Sequence, residues 1–217
     1  MSKSNILDII QDIKDGKMVI IIDDEARENE GDLVCSADLV TPEIINFMAS
    51  KGKGLICLPM STELCQKYDL QMMTNNNRAA NKTAFTVSIE AAEGITTGIS
   101  AADRSHTIKT AVSKSSDPSD IVQPGHVFPL KAMKGGVLSR AGHTEAACDL
   151  SKLAGLQSAG VICEIMNDDG TMARRDDLLK FGKENHIKVG TIADLIDYRL
   201  SMDATVESVL DKIVKNE

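Results

Sequence analysis

The chain has 217 residues, 42% apolar and only 3% aromatic, and a formal net charge of −8 at pH 7. That length suits one generous domain with a core of Val, Ile, Leu, Met and Ala, and it excludes disordered, collagen-like and coiled-coil classes. The acidic balance argues against a nucleic-acid or anionic-membrane partner, since both need a basic field.

In chain order, the N-terminal stretch to Ile10 has a helical pattern and lacks the basic, apolar and small-residue sections of a secretion signal. No run approaches a membrane span, so a cytoplasmic protein is expected. Strands are predicted at Met18–Ile22, Asp32–Ser36, Gly54–Leu58, Ala84–Glu90, His126–Lys131, Gly160–Met166 and Ile187–Val189. Several are continuous β-branched runs, as in strands covered on both faces. Thr41-Pro42 reads as a helix start that runs to Gly52, and His143-Thr144-Glu145 opens a helix that Gly155 closes. Ser100–Asp103 and Thr191–Asp194 resemble capping boxes with Asp in place of Glu. Val206, Val209, Leu210, Ile213 and Val214 recur at helical spacing, which predicts an amphipathic helix over Thr205–Lys215 within a tail of about 202–217. The expected fold is one α+β (mixed α/β) domain over 1–217, with helices packed around a mixed sheet. The five cysteines are odd in number and have no CxxC spacing, so reduced core thiols are expected.

Chemistry concentrates in four stretches. Asp23-Asp24-Glu25-Ala26-Arg27-Glu28-Asn29-Glu30-Gly31-Asp32 packs six carboxylates into ten residues, wedged between two core strands. Such crowding is costly unless a cation relieves it. If Glu28–Asp32 is extended, Glu28, Glu30 and Asp32 share one face, where hard oxygen ligands suit Mg²⁺ or Mn²⁺. A solvated acidic hairpin is the alternative. Gly135–Glu145 sets Arg140, Gly142 and Thr144 at a helix start, where free N–H groups and the dipole favour a phosphate; glycine-rich helix starts are also common without a ligand. His126 stands at a strand entrance behind Pro124. Glu164 is a lone acid in an apolar strand, which must be paired or must reach a polar cleft, and buried acids of shifted pKa are typical catalytic groups. His106 and His186 have no companion ligands and read as surface or capping residues.

Taken together, these stretches resemble the 3,4-dihydroxy-2-butanone 4-phosphate synthase family. The resemblance rests on Asp23–Asp32, Glu93–Arg104, Pro124–Leu130, Arg140–Glu145 and Gly160–Glu164, in order and over nearly the whole chain to about Leu200. It implies conversion of ribulose 5-phosphate to 3,4-dihydroxy-2-butanone 4-phosphate plus formate, with two Mg²⁺ (or Mn²⁺) ions per site. It further implies that Glu28 and His143 ligate metal, and that Arg27 and Asp32 contact the sugar or its phosphate. Arg140, Ala141, Gly142 and Thr144 would hold the phosphate, while His126 and Glu164 would move protons. The family pattern implies a homodimer, with His126 reaching into the partner's site or serving its own. Some members carry a GTP cyclohydrolase II domain; without a cysteine-rich zinc pattern, the monofunctional form is expected here.

Overall fold

The computed structural model describes residues 3–202. The predicted helix over 205–215 lies outside them. After α1 (Ile6–Lys14), the chain forms the hairpin of β1 (Val19–Ile22) and β2 (Gly31–Ser36). Next come α2 (Pro42–Phe47), a single π-turn over Met48–Gly52, β3 (Cys57–Met60) and α3 (Thr62–Lys67). A long polar loop leads to β4 (Ile89–Ala91), α4 (Ala101–Val112) and β5 (Ile121–Lys131). The chain continues through α5 (His143–Leu153), β6 (Gly160–Glu164), α6 (Arg175–Glu184) and β7 (Val189–Thr191), and residues 192–202 are helical. The seven strands form one mixed sheet, ordered β4-β5-β3-β6-β2-β1-β7.

The continuous apolar strands have their reason in the layering. Ile20, Ile22, Leu33, Cys35, Val161 and Cys163 face a core layer shared with α2, α4 and α6. Their neighbours Val19, Ile21, Val34 and Ile162 face the opposite layer, with α1 and α5. Alternate side chains leave opposite faces of a strand, so a sheet covered twice must be apolar at nearly every position. All five cysteines are buried and free. Among the described residues, no helix is long and apolar enough to cross a membrane.

Local signals hold at the helix starts. Thr41 and Ser100 accept from Ile44 N and Asp103 N as N-caps, and Thr191 Oγ1 accepts from Asp194 N. Asp103 does not complete a capping box: its carboxylate turns instead to Thr96 N, Thr96 Oγ1 and Gly98 N, pinning the loop before α4.

Several element boundaries move. The strand expected over Ala84–Glu90 is reduced to β4, with isolated bridges at Phe85 and Thr86. Pro129 on the facing strand has no N–H to extend that ladder. β5 starts five residues before the expected His126, because its first residues pair with β4. The last strand shifts to Val189–Thr191, where it pairs in parallel with Ile20–Ile22. The helix from Thr41 gives way to the π-turn before Gly52, and Lys53 N donates back to Met48 O. The short helix α3 carries a Ser61 cap that the sequence reading passed over.

Candidate active site

Register places the first acids. β1 and β2 set Ile21 opposite Asp32, and β2 and β6 set Asp32 opposite Glu164. Two carboxylates thus face each other on adjacent central strands, an arrangement that is destabilising unless something positive lies between them. Asp32 is only 2% exposed and its Oδ1 has no hydrogen-bond partner. Glu164 Oε2 accepts from Leu55 N at 2.8 Å.

The loop joining β1 to β2 is organised by Asp23. Its fully buried carboxylate accepts from Glu30 N (2.8 Å), Glu28 N (3.1 Å) and Arg27 Nη1 (2.8 Å). Arg27 also contacts Glu28, and Arg174 donates to the main-chain carbonyls of Glu28 and Asn29, clasping the loop from behind. The segment is a turn through Glu28, with Asn29 at φ 55°, and so departs from the extended strand expected there. Glu28, Glu30 and Asp32 still line one cavity, because the turn folds back over the end of β2.

His143 enters from the first turn of α5. Its Nε2 donates to the Ile21 carbonyl at 3.1 Å, and since a carbonyl can only accept, this fixes the neutral tautomer with a lone pair on Nδ1. That Nδ1 lies 3.8 Å from both Glu28 Oε2 and Asp32 Oδ1, too far for hydrogen bonds. Among the described residues, Asp23, Glu28 and His143 each offer a ligand atom within 4.8 Å of the others. The neighbouring imidazole of His143, with Arg27, holds Glu28 down to about 2. Burial pushes Asp32 up to about 7, helped by Glu164, Glu28 and Glu30 against the opposing pull of His143. Burial works against a charge on His143, but Asp32 and Glu28 outweigh it and raise the ring to about 9. An imidazole nitrogen that gives up its proton on metal binding, an ionised carboxylate and a buried oxygen without a partner form a donor set that fits a hard divalent cation.

The opposite wall is basic. Arg140 Nη1 donates to the buried Glu145 Oε2 at 2.7 Å and its Nη2 to the Asn81 carbonyl at 3.1 Å. Gly142 caps α5, and a Cβ there would stand 2.3 Å from Arg140 Nη1 and 3.0 Å from Arg27 Nη2. Both guanidinium groups therefore converge on the start of α5. Arg27, Glu28, Asp32, Arg140, His143, Thr144 and Glu164 all border this cavity of about 110 Å³. Ala141 instead borders a larger recess of about 690 Å³ behind the acidic loop. His126 is not in the cavity: it lies on β5 with Nδ1 2.9 Å from Glu90 Oε1. The sequence reading missed Asn81, whose Nδ2 donates to Glu28 Oε1 at 2.8 Å, and Glu145, which holds Arg140. Asn81 lies in a polar run without periodicity; Glu145 carried a usable signal, an acid on the buried face of α5.

The sequence profile of 3,4-dihydroxy-2-butanone 4-phosphate synthase matches residues 7–198. The chain belongs to that family. A Pseudomonas aeruginosa 3,4-dihydroxy-2-butanone 4-phosphate synthase is 55% identical over 217 residues, covering 100% of this chain and 60% of the relative. The chain thus spans about three fifths of that relative. A Haemophilus influenzae synthase is 52% identical over 200 residues, covering 92% of this chain and 93% of its own length. A solved structure of a 3,4-dihydroxy-2-butanone 4-phosphate synthase in complex with two magnesium ions superposes with a TM-score of 0.88 at 39% identity, covering 92% of this chain and 98% of that one.

Proposed function

We propose that the chain converts D-ribulose 5-phosphate to 3,4-dihydroxy-2-butanone 4-phosphate and formate, an early step of riboflavin biosynthesis, as a Mg²⁺- or Mn²⁺-dependent cytoplasmic homodimer. The observation that carries this reading is one cavity in which Glu28, Asp32, Glu164 and His143 face Arg27, Arg140 and Thr144. A sugar phosphate needs both walls, an anion clamp at one end and oxygen-binding, proton-moving groups at the other.

In this reading Arg27, Arg140 and Thr144, with the N–H groups that open α5, hold the phosphate. Ala141 and Gly142 contribute backbone there. Glu28 and His143 Nδ1 would hold the metal, with two ions proposed per site; a relative of known structure is in complex with two magnesium ions. When bound, the metal supplies Lewis-acid stabilisation of negative charge on the sugar oxygens. Asp32 contacts the sugar hydroxyls from the floor of the cavity. Glu164, fixed by Leu55 N, exchanges protons with the carbon skeleton. Leu130, Ile162 and Phe85 wall the site on its apolar side and limit water. His126 is the second proton-transfer group, delivered from the partner subunit, because within its own chain it bonds to Glu90 and does not line the cavity.

Incubation with ribulose 5-phosphate and Mg²⁺, scored for formate, tests the reaction. Stoichiometric formate and a four-carbon phosphate are expected. A chain that isomerises or cleaves the sugar without releasing formate overturns the reading in favour of another metal-dependent sugar-phosphate enzyme.

A further inference from the structure

β5 is not a regular partner of β4. Ile89 pairs with Val127 but the next residue, Glu90, pairs with Val122, so residues 123–126 fall between two consecutive positions of β4. Such bulges bend a strand and re-aim a side chain. This one is held by Gly125: its N–H donates to Ser88 Oγ at 3.1 Å, and a Cβ there would stand 2.1 Å from the Ile89 carbonyl oxygen. The bulge ends at His126, whose side chain is 45% exposed while that of Glu90 is only 12% exposed. His126 Nδ1 lies 2.9 Å from Glu90 Oε1.

Glu90 is itself fixed by a second loop. Gly98, at φ 87°, packs so closely on the carboxylate that a Cβ would stand 1.7 Å from Oε1. Gly98 N and Thr96 are bound in turn to the Asp103 carboxylate at the start of α4. A bulge, a glycine contact and a pinned loop thus converge on one hydrogen bond.

We propose that Glu90 is a positioning residue that holds His126 in the Nδ1–H tautomer, leaving Nε2 on the far side of the ring as the free base. This rests on the reading of His126 as a proton-transfer group. A carboxylate accepts only, so the shared proton sits on the imidazole, and the tautomer is chosen by the bond at the other nitrogen. Glu90 lines none of the cavity around His143 and acts only through His126.

Ring ¹⁵N shifts of the full-length, metal-loaded chain test this directly, because only four histidines contribute and His126→Gln assigns the one of interest. In the neutral ring of the parent chain, Nδ1 should be protonated and Nε2 pyridine-like. Glu90→Leu removes the acceptor, and Gly98→Ala displaces it while leaving both partners present. Each should move the proton toward Nε2, lower kcat about 10- to 100-fold and leave KM within about twofold, the range seen when a histidine loses its orienting partner. A parent ring protonated on Nε2 overturns the proposal. So does a loss of turnover in both variants with the tautomer unchanged, which would be a merely structural role. Full turnover in His126→Ala would instead remove the proton-transfer role given to His126 above, with the tautomer readout still deciding whether Glu90 fixes the ring.

Discussion

His143 and His126 are held by opposite means. The side chain of His143 is 6% exposed and is locked by a main-chain carbonyl, with acids of its own subunit against its free nitrogen. That of His126 is 45% exposed and is held by one carboxylate, and it does not line the cavity. The first belongs to a candidate ligand set, with Asp23 and Glu28, contained within one chain. The second is a ring held in place outside that cavity, as the proposed delivery to a partner's site requires. A buried histidine can be placed by strand register and helix position alone, whereas an exposed one needs a separate device to keep its ring in order.

The comparison breaks most sharply at the metal side. Glu28→Gln should lower turnover by about 10²- to 10³-fold, as expected when a group acting on charge in the transition state is removed. The chain should remain folded by circular dichroism, because the substitution takes one charge from a crowded loop. Near-normal turnover would remove Glu28 from the metal site.

Subunit mixing asks whether the two histidines serve one site. Glu28→Gln and His126→Ala should each be nearly inactive. Refolded together as a dimer with two equivalent sites, half the dimers are mixed, and each mixed dimer has one intact site if His126 crosses the interface. About a quarter of normal activity should return. Recovery of none, with mixed dimers verified by mass spectrometry, places His126 in its own subunit's site.

The anion wall should give a smaller, differently shaped effect. Thr144→Val and Arg140→Met should raise KM for ribulose 5-phosphate about tenfold while changing kcat less, the mark of binding lost equally from ground and transition states. A pure kcat loss would assign these residues to the chemistry.

The least of the expected effects is on stability. In metal-free protein, the protonated His143 among Asp32 and Glu28 stabilises the fold fully below its ordinary value near 6.5 and loses that contribution as pH rises through about 9. Asp32 works in the same direction, since a buried carboxyl raised to about 7 favours the fold less as pH climbs from about 4 to 7. Melting with EDTA should therefore drop by a few degrees between pH 6 and pH 9, and Mg²⁺ should flatten the slope by binding the deprotonated ring. A melting temperature that rises with pH under EDTA contradicts this electrostatic picture.

Much of this was legible in the sequence alone. The apolar runs, the caps at Thr41, Ser100 and Thr191, and the helix that His143 opens before Gly155 are local signals, set by side-chain period and backbone hydrogen-bonding need. The crowding of acids over Asp23–Asp32 and the lone Glu164 marked candidate site residues that line one cavity, and the family resemblance joined them. What the sequence could not supply was anything resting on pairing. Asp32 meets Glu164 only because β2 and β6 adopt one register, and His143 meets Asp32 only because α5 packs against that part of the sheet. Asn81 and Glu90 have no periodic signature, and each acquires its role from a partner 36 or 53 residues away along the chain. Chain-local physics decides which segments are strands and helices. The contacts that give a carboxylate its partner, its burial and its protonation are long-range, and only the folded arrangement sets them.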